Sequence, residues 1–179
     1  LWADPHMAVA QADASFTAGG RTFLPGTLVI TTTGSAEDHA KLSALVENYG
    51  LTGYALSEAV TATPLHQPKV ALYTPNNTTS ATMPEGWVRM RLDRTGFPYT
   101  RLYKEDVKAN ALADYDVIVI PDITTSGLVN GTSSSSLPPE YRGGIGDAGV
   151  ANLKSFVEAG GTLIAMGRAS LMPIDKGWG

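Results

Sequence analysis

The sequence predicts an α/β domain built on a parallel β-sheet, preceded by a small β-rich segment that carries one helix. Three observations lead to this prediction. From residue 68 onward, short apolar runs alternate with amphipathic stretches, as in parallel strands joined by helices. The first 34 residues instead show short β-prone runs separated by Gly and Pro turns. The chain has 179 residues, 43% of them apolar, so it can bury a core of ordinary size.

Composition and charge exclude several classes of function. A net charge of −4 argues against a nucleic-acid partner held by phosphate contacts. No stretch reaches the roughly 20 apolar residues of a membrane-spanning helix. The chain has no Cys, which excludes disulfides, Cys-ligated zinc and a Cys nucleophile. The histidines His6, His39 and His66 belong to no zinc-binding motif, so the sequence predicts no metal site and no cofactor in this chain.

Residues 1–60 are predicted to form a β-rich linker segment with one helix. Ser35 can cap this helix, and Gly50 is expected to end it. Residues 61–67 have the composition of a linker. Strands are expected at 7–10, 14–17, 21–24, 27–30 and 53–57.

Residues 68–179 are predicted to form the α/β domain, and a flavodoxin-like strand order is the simplest arrangement with right-handed crossovers. Thr82–Glu85 matches a capping box, and Asp147 is expected to cap the last long helix. Residues 123–145 are expected to form a long polar loop, with 143–146 as a flexible lead-in to that helix. Strands are expected at 69–73, 99–103, 117–120 and 162–166, and helices at 82–94, 105–112 and 147–159.

A ligand crevice is expected where the carboxyl ends of the parallel strands meet. Capping already accounts for Glu85, and Trp87 is interpreted as a core residue, with the floor of the crevice as the alternative. Ser170 is interpreted as a helix cap rather than a nucleophile, because the G-x-S-x-G pattern and a partner base are missing. The residues predicted to line the crevice are Asn76, Glu85, Trp87, Asp122, Arg168 and Ser170.

Several motifs occur in this sequence in an order that resembles a region found in one protein family. The region that follows the catalytic domain in large bacterial proteins of the zinc carboxypeptidase A-like family is similar to residues 16–175. That region resembles class I glutamine amidotransferase domains in fold. Residues 16–30 resemble the short β segment that links its two parts. The motifs that carry the resemblance are 68–73, MPEGW at 83–87, FPYT at 97–100, YDVIVIPD at 115–122, GGIG at 143–146 and FVEAGGTLIA at 156–165.

The resemblance implies an amidotransferase-like domain in a secreted, periplasmic or cell-surface protein. Its partner would be an upstream zinc peptidase domain, which holds the zinc; no segment here matches that domain's ligands. The amidotransferase nucleophile would fall near Gly167, but this chain lacks the Cys. The resemblance therefore implies a catalytically silent accessory domain for substrate presentation, ligand binding or domain packing.

Two other functions stay open on the sequence. The first is a structural or assembly subunit at a cell surface or in a filament, consistent with the low charge, the many Thr and Ser residues and the absence of Cys. Self-association would then be its main interaction. The second is a hydrolase that depends on Ser170. Because the chain begins without Met and ends without a closing element, we expect it to be a piece of a longer protein.

Overall fold

The computed structural model describes residue 4, residues 6–75 and residues 79–178. The chain divides into two compact units, Leu1–Gln67 and Pro68–Gly179. The predicted fold class is confirmed at the level of architecture. The protein is a mixed α/β protein with a four-stranded parallel sheet and a small antiparallel segment toward its N-terminus.

The first unit holds two small antiparallel sheets and one helix. The three-stranded sheet has the order β4 (Leu28–Thr32), β1 (Met7–Ala12), β5 (Ala62–Pro64). Strand β2 (Phe16–Ala18) pairs with β3 (Arg21–Phe23) in a hairpin. Ser35 caps the helix as predicted, because its hydroxyl accepts a hydrogen bond from the backbone N–H of Asp38 at 3.1 Å. The elements are β1 (Met7–Ala12), β2 (Phe16–Ala18), β3 (Arg21–Phe23), β4 (Leu28–Thr32), α1 (Ala36–Asn48) and β5 (Ala62–Pro64).

Two predictions for this unit are wrong. Residues 53–57 form no strand, and their side chains are exposed. The fifth strand lies instead in the segment predicted as a linker, where Thr63 pairs with Gln11 of β1. The Thr63 hydroxyl also donates to a carboxylate oxygen of Asp13 at 2.7 Å. Cross-strand partners, which lie far away in sequence, decided the position of this strand rather than local propensity.

The second unit is built on a parallel sheet with the order β7 (Tyr99–Leu102), β6 (Val70–Tyr73), β8 (Val117–Ile120), β9 (Thr162–Ala165). All four predicted strands are present, and the helices between them follow the predicted alternation. The elements are β6 (Val70–Tyr73), α2 (Thr79–Thr95), β7 (Tyr99–Leu102), α3 (Lys104–Lys108), β8 (Val117–Ile120), α4 (Thr125–Val129), α5 (Gly146–Glu158), β9 (Thr162–Ala165) and α6 (Leu171–Asp175).

Both faces of the two central strands are buried, which explains their unbroken apolar sequence. Successive side chains of a strand point to opposite faces of the sheet. On one face Leu72 and Val119 form a cluster with Val88 and Leu92 of α2. The larger cluster on the other face joins strands β6 to β8 with α3, α4 and α5, and its fully buried members include Leu102, Leu112, Ile118, Ile120, Leu128 and Leu153.

Helix boundaries differ from the prediction at three places. Helix α2 begins at Thr79, so the expected capping box lies inside the helix together with Pro84. Helix α5 begins at Gly146 and Asp147 does not cap it; Asp147 instead forms an ion pair with Lys176 at 3.1 Å. Helix α3 ends at Lys108, before Asn110 adopts a positive φ of 56°.

The long polar segment 123–145 is folded rather than open. It contains α4 and a single 3-10 turn at Pro139–Tyr141. The ammonium of Lys104, a residue that is only 4% exposed, donates to the backbone carbonyls of Glu140 and Arg142. The Arg142 side chain holds the Ser-rich part of the segment in place, because it donates to the backbone carbonyls of Ser135 and Leu137.

Candidate functional site

Three of the six predicted crevice residues meet at the carboxyl edge of the parallel sheet. Asp122 follows β8, and Arg168 and Ser170 follow β9. Glu85 lies in a separate cluster on α2. Trp87 is 64% exposed, so its interpretation as a core residue is wrong. Asn76 lies outside the described residues.

Asp122 and Arg168 form a two-pronged ion pair across the ends of two neighbouring strands. The Arg168 side chain donates through Nε to Oδ1 at 3.0 Å and through Nη2 to Oδ2 at 2.9 Å. The Arg168 backbone N–H also donates to Oδ1 at 2.7 Å. Parallel bonds of this kind fix the guanidinium in one orientation. The pair therefore presents a rigid, neutralised group at the sheet edge.

Gly167 lets the turn after β9 approach the Asp122 carboxylate closely. Its φ is +54°, a conformation that other residues rarely adopt, and a Cβ at this position would lie 2.7 Å from Asp122 Oδ1. The glycine that the sequence places at the end of β9 therefore brings the backbone of the turn close to the carboxylate.

Removing the Asp122 carboxylate is expected to affect stability only where that carboxylate is ionised. Hydrogen bonds from the Arg168 side chain, and then from its backbone, hold the pKa of Asp122 below its ordinary value. Its stabilising contribution is complete above the ordinary Asp pKa of about 3.9 and is lost as the pH falls through the lower folded-state value. Asp122→Asn should therefore lower the thermal midpoint at neutral pH, with the difference shrinking as the pH falls below the ordinary Asp pKa of about 3.9. A difference that stays constant as the pH falls contradicts the assignment.

Ser170 lies at the start of α6 but does not cap it through its side chain. Its hydroxyl donates to the backbone carbonyl of Gly167 at 2.7 Å. This bond occupies the proton that a general base would remove from a nucleophilic serine. In sequence, His6, His39 and His66 all belong to the first unit, so Pro68–Gly179 contains no His at all.

A groove of about 470 Å³ opens beside the ion pair. Its apolar part comes from Val129 and Leu171. Its charged groups are Arg168, paired with Asp122, Lys176, paired with Asp147, and the Asp175 carboxylate. Its size lies within the range of small-ligand pockets, about 300–1,000 Å³. The residues that line it are Thr124, Thr125, Ser126, Val129, Asn130, Arg168, Leu171, Asp175 and Lys176.

Sequence reasoning missed the hydroxyl side of this groove, because it treated residues 123–145 as an open loop. Thr124 caps α4, since its hydroxyl accepts from the Gly127 backbone N–H at 3.0 Å. The Thr125 hydroxyl donates to a carboxylate oxygen of Asp175 at 2.5 Å. A Thr directly before a short helical stretch that ends in Leu128-Val129 was the available signal.

Glu85 belongs to a buried polar cluster at the ends of β6 and β7. The residue is 3% exposed, and its Oε1 lies 3.3 Å from the Thr74 hydroxyl and 3.3 Å from Arg89 Nε. Arg101 Nε donates to the same Thr74 hydroxyl at 3.3 Å. The sequence suggested that Glu85 caps helix α2, but in the structure Glu85 lies inside that helix and has no capping role. This carboxylate instead joins α2 to the carboxyl end of β6 through Thr74, whose hydroxyl also accepts from Arg101 of β7.

The described residues contain no group of three or more His, Asp or Glu side chains placed to hold a metal ion. None of the helices in the described ranges is both long and apolar enough to cross a membrane.

Comparison with known proteins identifies no relative. No protein-family model matches the chain, and neither the curated proteins nor the solved structures contain a significant match.

Proposed function

We propose that the second unit is a flavodoxin-like, amidotransferase-like domain that serves as a non-catalytic accessory module. The strand order supports this assignment. Numbered by appearance within Pro68–Gly179, the strands lie in the order 2-1-3-4, which is the beginning of the flavodoxin-like order. Flavodoxin-like domains bind their ligands at the carboxyl ends of the strands, and the groove lies at that edge of this sheet.

One observation carries the proposal of a binding rather than a catalytic role. The turn after β9 is where the amidotransferase resemblance expects a nucleophile. Here it carries Arg168, locked by Asp122 at the mouth of the groove. This guanidinium cannot attack a carbonyl carbon, and the N–H donors that Asp122 leaves unused can hold an acceptor group of a ligand.

The groove chemistry favours a peptide with a free carboxyl terminus as the ligand. Arg168 uses Nε and Nη2 for Asp122, while Nη1 has no acceptor among the described residues. The Lys176 ammonium donates one hydrogen bond to Asp147 and keeps further donors. The hydroxyls of Thr124 and Ser126 and the apolar surface of Leu171 would contact the peptide backbone and side chains. This ligand is consistent with substrate presentation beside a carboxypeptidase-like domain.

Titration of the full chain with tetra-alanine, followed by NMR chemical shifts, tests this role. We expect the free acid to shift amide resonances of the groove residues and the C-terminally amidated peptide to bind at least about tenfold more weakly, because one charged hydrogen-bonded contact is lost. Arg168→Gln should abolish the preference for the free acid. Lys154→Gln, on the exposed surface of α5, is the matched control. It should leave the preference for the free acid over the amidated peptide unchanged. The absence of shifts with either peptide would overturn the binding role.

The hydrolase alternative gives a separate test. We expect the chain to hydrolyse p-nitrophenyl acetate at the rate of buffer alone, and Ser170→Ala to leave that rate unchanged, because the Ser170 hydroxyl is engaged with Gly167. Turnover by the wild type that disappears in Ser170→Ala would establish the hydrolase in place of the accessory module.

We further propose that the chain belongs to an exported protein, secreted, periplasmic or on the cell surface, with a zinc carboxypeptidase-like domain upstream. The support is the order of motifs over residues 16–175. The intact mass of the denatured native polypeptide is the measurement: a mass several times 18.8 kDa is expected. Peptidase activity of that whole protein should then fall with a chelator. A native mass of 18.8 kDa would contradict the proposal of a longer parent protein. The peptide titration would still test the binding role of the groove, because it does not depend on the parent protein.

A further inference from the structure

Two arginines lie on the same face of the sheet above β7, the edge strand farthest from β9. Tyr99 packs in the cluster that α2 covers, whereas Leu102 belongs to the cluster on the other face. Because side chains alternate along a strand, Arg101 lies on the face of Tyr99 and α2. The Tyr99 hydroxyl donates to Asp93 of α2 at 2.9 Å, so the side of α2 that carries Asp93, and Arg89 one turn before it, faces β7. Arg89 and Arg101 therefore face the same space beside α2.

This space follows from the order of the strands. Strand β7 is outermost in the sheet, and in a flavodoxin-like order any later strand is added beyond β9, at the opposite edge. Helix α2 packs over the two central strands β6 and β8 through Val88 and Leu92. The carboxyl end of β7 is therefore accessible beside the helix, and Arg101 is exposed there.

The Arg101 guanidinium is held in place although the residue is exposed. Its Nε donates to the hydroxyl of Thr74, a residue that is only 4% exposed, at 3.3 Å. Its guanidinium carbon lies 5.3 Å from the centre of the Tyr103 ring, which is a cation–π contact. Neither contact uses Nη1 or Nη2, and no described residue accepts a hydrogen bond from these two groups. Arg101 therefore presents its terminal donors in a fixed orientation.

Arg89 is held against the same buried groups. Its Nε lies 3.3 Å from Glu85 Oε1, which in turn lies 3.3 Å from the Thr74 hydroxyl oxygen. Three successive contacts of 3.3 Å therefore link the Nε atoms of the two arginines. One phosphate group can contact both guanidiniums across this separation, through charged hydrogen bonds of about 2.8 Å. The Arg89 side chain is 42% exposed, and its terminal nitrogens have no acceptor within the described part of the chain.

The charge of this cluster favours an anion. Arg89 and Arg101 carry two positive charges and Glu85 one negative charge, which leaves one positive charge without a partner in the cluster. Residues 89–101 contain four arginines and one carboxylate, in a chain whose net charge is −4. The planar fork of arginine matches the oxygens of a phosphate group. The carboxyl ends of parallel strands are also where open α/β sheets bind ligands.

We infer that Arg89 and Arg101 form a binding site for a phosphate group, either inorganic phosphate or the phosphate of a small molecule. Glu85 and Thr74 position the two guanidiniums and do not touch the ligand. The site lies at the ends of β6 and β7, whereas the groove beside Asp122 and Arg168 lies at the ends of β8 and β9. The inference therefore does not depend on the peptide-binding role of the groove.

Titration of the full chain with inorganic phosphate, followed by NMR chemical shifts, tests this site. Potassium chloride keeps the ionic strength constant, so that general screening does not change during the titration. We expect the side-chain and amide resonances of Arg89 and Arg101 to shift, and acetate to bind at least about tenfold more weakly, because it offers fewer oxygens and less charge. Tighter binding of phenyl phosphate would identify a phosphorylated molecule as the occupant, and equal or weaker binding would identify the free ion.

Substitutions separate the site from a diffuse attraction of anions. Arg101→Gln should weaken phosphate binding at least about tenfold, and Arg101→Lys, which keeps the charge but lacks the fork, should also weaken it. Arg91→Gln is the matched control, because it removes the same charge from an exposed position on another side of α2. It should bind phosphate like the wild type. Thermal midpoints in chloride show whether each variant is folded.

Four results would overturn the inference. The first is the absence of any shift in the wild type, and the second is equal binding of acetate and phosphate. The third is an equal loss of binding in Arg91→Gln and Arg101→Gln, which would mean that only the net charge attracts the anion. The fourth is a set of shifts confined to the groove around Arg168, which would place the phosphate there instead.

Discussion

Gly144→Ala is expected to destabilise the second unit by about 3 kcal/mol or more. A Cβ at this position would lie 2.3 Å from the backbone oxygen of Leu128 and 2.6 Å from that of Val129. These backbone atoms cannot move away easily, because two hydrogen bonds hold the segment against them. The Ile145 N–H donates to the same Leu128 carbonyl at 2.9 Å, and the Gly143 N–H donates to the Thr132 carbonyl at 2.8 Å. Relief of the clash would separate the segment from α4 and break its backbone pairing. Urea denaturation at 25 °C measures the effect as a lower midpoint.

The matched control for this prediction is Gly86→Ala. Gly86 lies inside α2, where a Cβ would meet no described atom within 4 Å. Alanine loses less conformational entropy than glycine on joining a helix, so this change should stabilise the protein by about 0.5–1 kcal/mol. Opposite signs for the two substitutions are expected. Equal small effects would mean that the 143–145 segment is not packed against α4.

Lys104→Met is the second substitution with a large expected effect, a loss of about 2–3 kcal/mol. Methionine keeps the length of the side chain but removes the ammonium that donates to the carbonyls of Glu140 and Arg142. Both acceptors then lose their partner, and the 3-10 turn at Pro139–Tyr141 loses its anchor to α3. We therefore expect limited proteolysis to cut the Ser-rich part of the 123–145 segment faster in the variant.

Lys154→Met provides the control for Lys104→Met. The Lys154 side chain is 45% exposed and pairs with Glu158 one helical turn away at 3.3 Å, an arrangement worth only a few tenths of a kcal/mol. Its loss should leave both the unfolding midpoint and the proteolysis rate close to those of the wild type. If the two variants behave alike, Lys104 does not hold the segment in place.

The sequence was sufficient to predict the parallel sheet. Short apolar runs mark β6, β8 and β9, and the intervening stretches mark the helices that cover them. The fourth strand, β7, carries Thr100 and Arg101 and was predicted from its place between two helical stretches. The reason is physical: strands buried on both faces need continuous apolar sequence, as in Val117–Ile120, and this signal is local. Ser35 and the helix it caps were equally predictable, because the capping hydroxyl and the backbone N–H that donates to it lie three residues apart.

Features that depend on distant partners could not be read from local patterns. The capping-box motif at Thr82–Glu85 suggested a helix start, whereas Glu85 is a buried partner of Thr74 and Arg89. The Gly-rich residues 143–146, interpreted as a flexible lead-in, are packed against α4. Glycine permits close backbone approach as readily as flexibility, and only the neighbouring chain decides between the two.

The candidate site was predictable to a similar extent. Strand ends placed Asp122 and Arg168 at the same edge, and the structure joins them in one ion pair. Trp87 was misplaced because the covering face of α2 uses Val88 and Leu92 instead. The hydroxyl groups of Thr124 and Ser126 were missed because residues 123–145 were treated as one open loop, although Thr124 stands in the position of a helix cap.

The central position of β6 has a consequence for synthesis of the chain on the ribosome. Strand β6 is made first among the four, but only one of its two neighbours follows directly; the other, β8, is made after β7. A nascent chain that has reached Leu102 can complete only one side of β6 and leaves the edge at Val70–Tyr73 open and apolar. Open apolar edges of this kind favour aggregation. Steady translation through residues 103–120 should therefore raise the yield of soluble protein, since it shortens the time during which this edge is exposed.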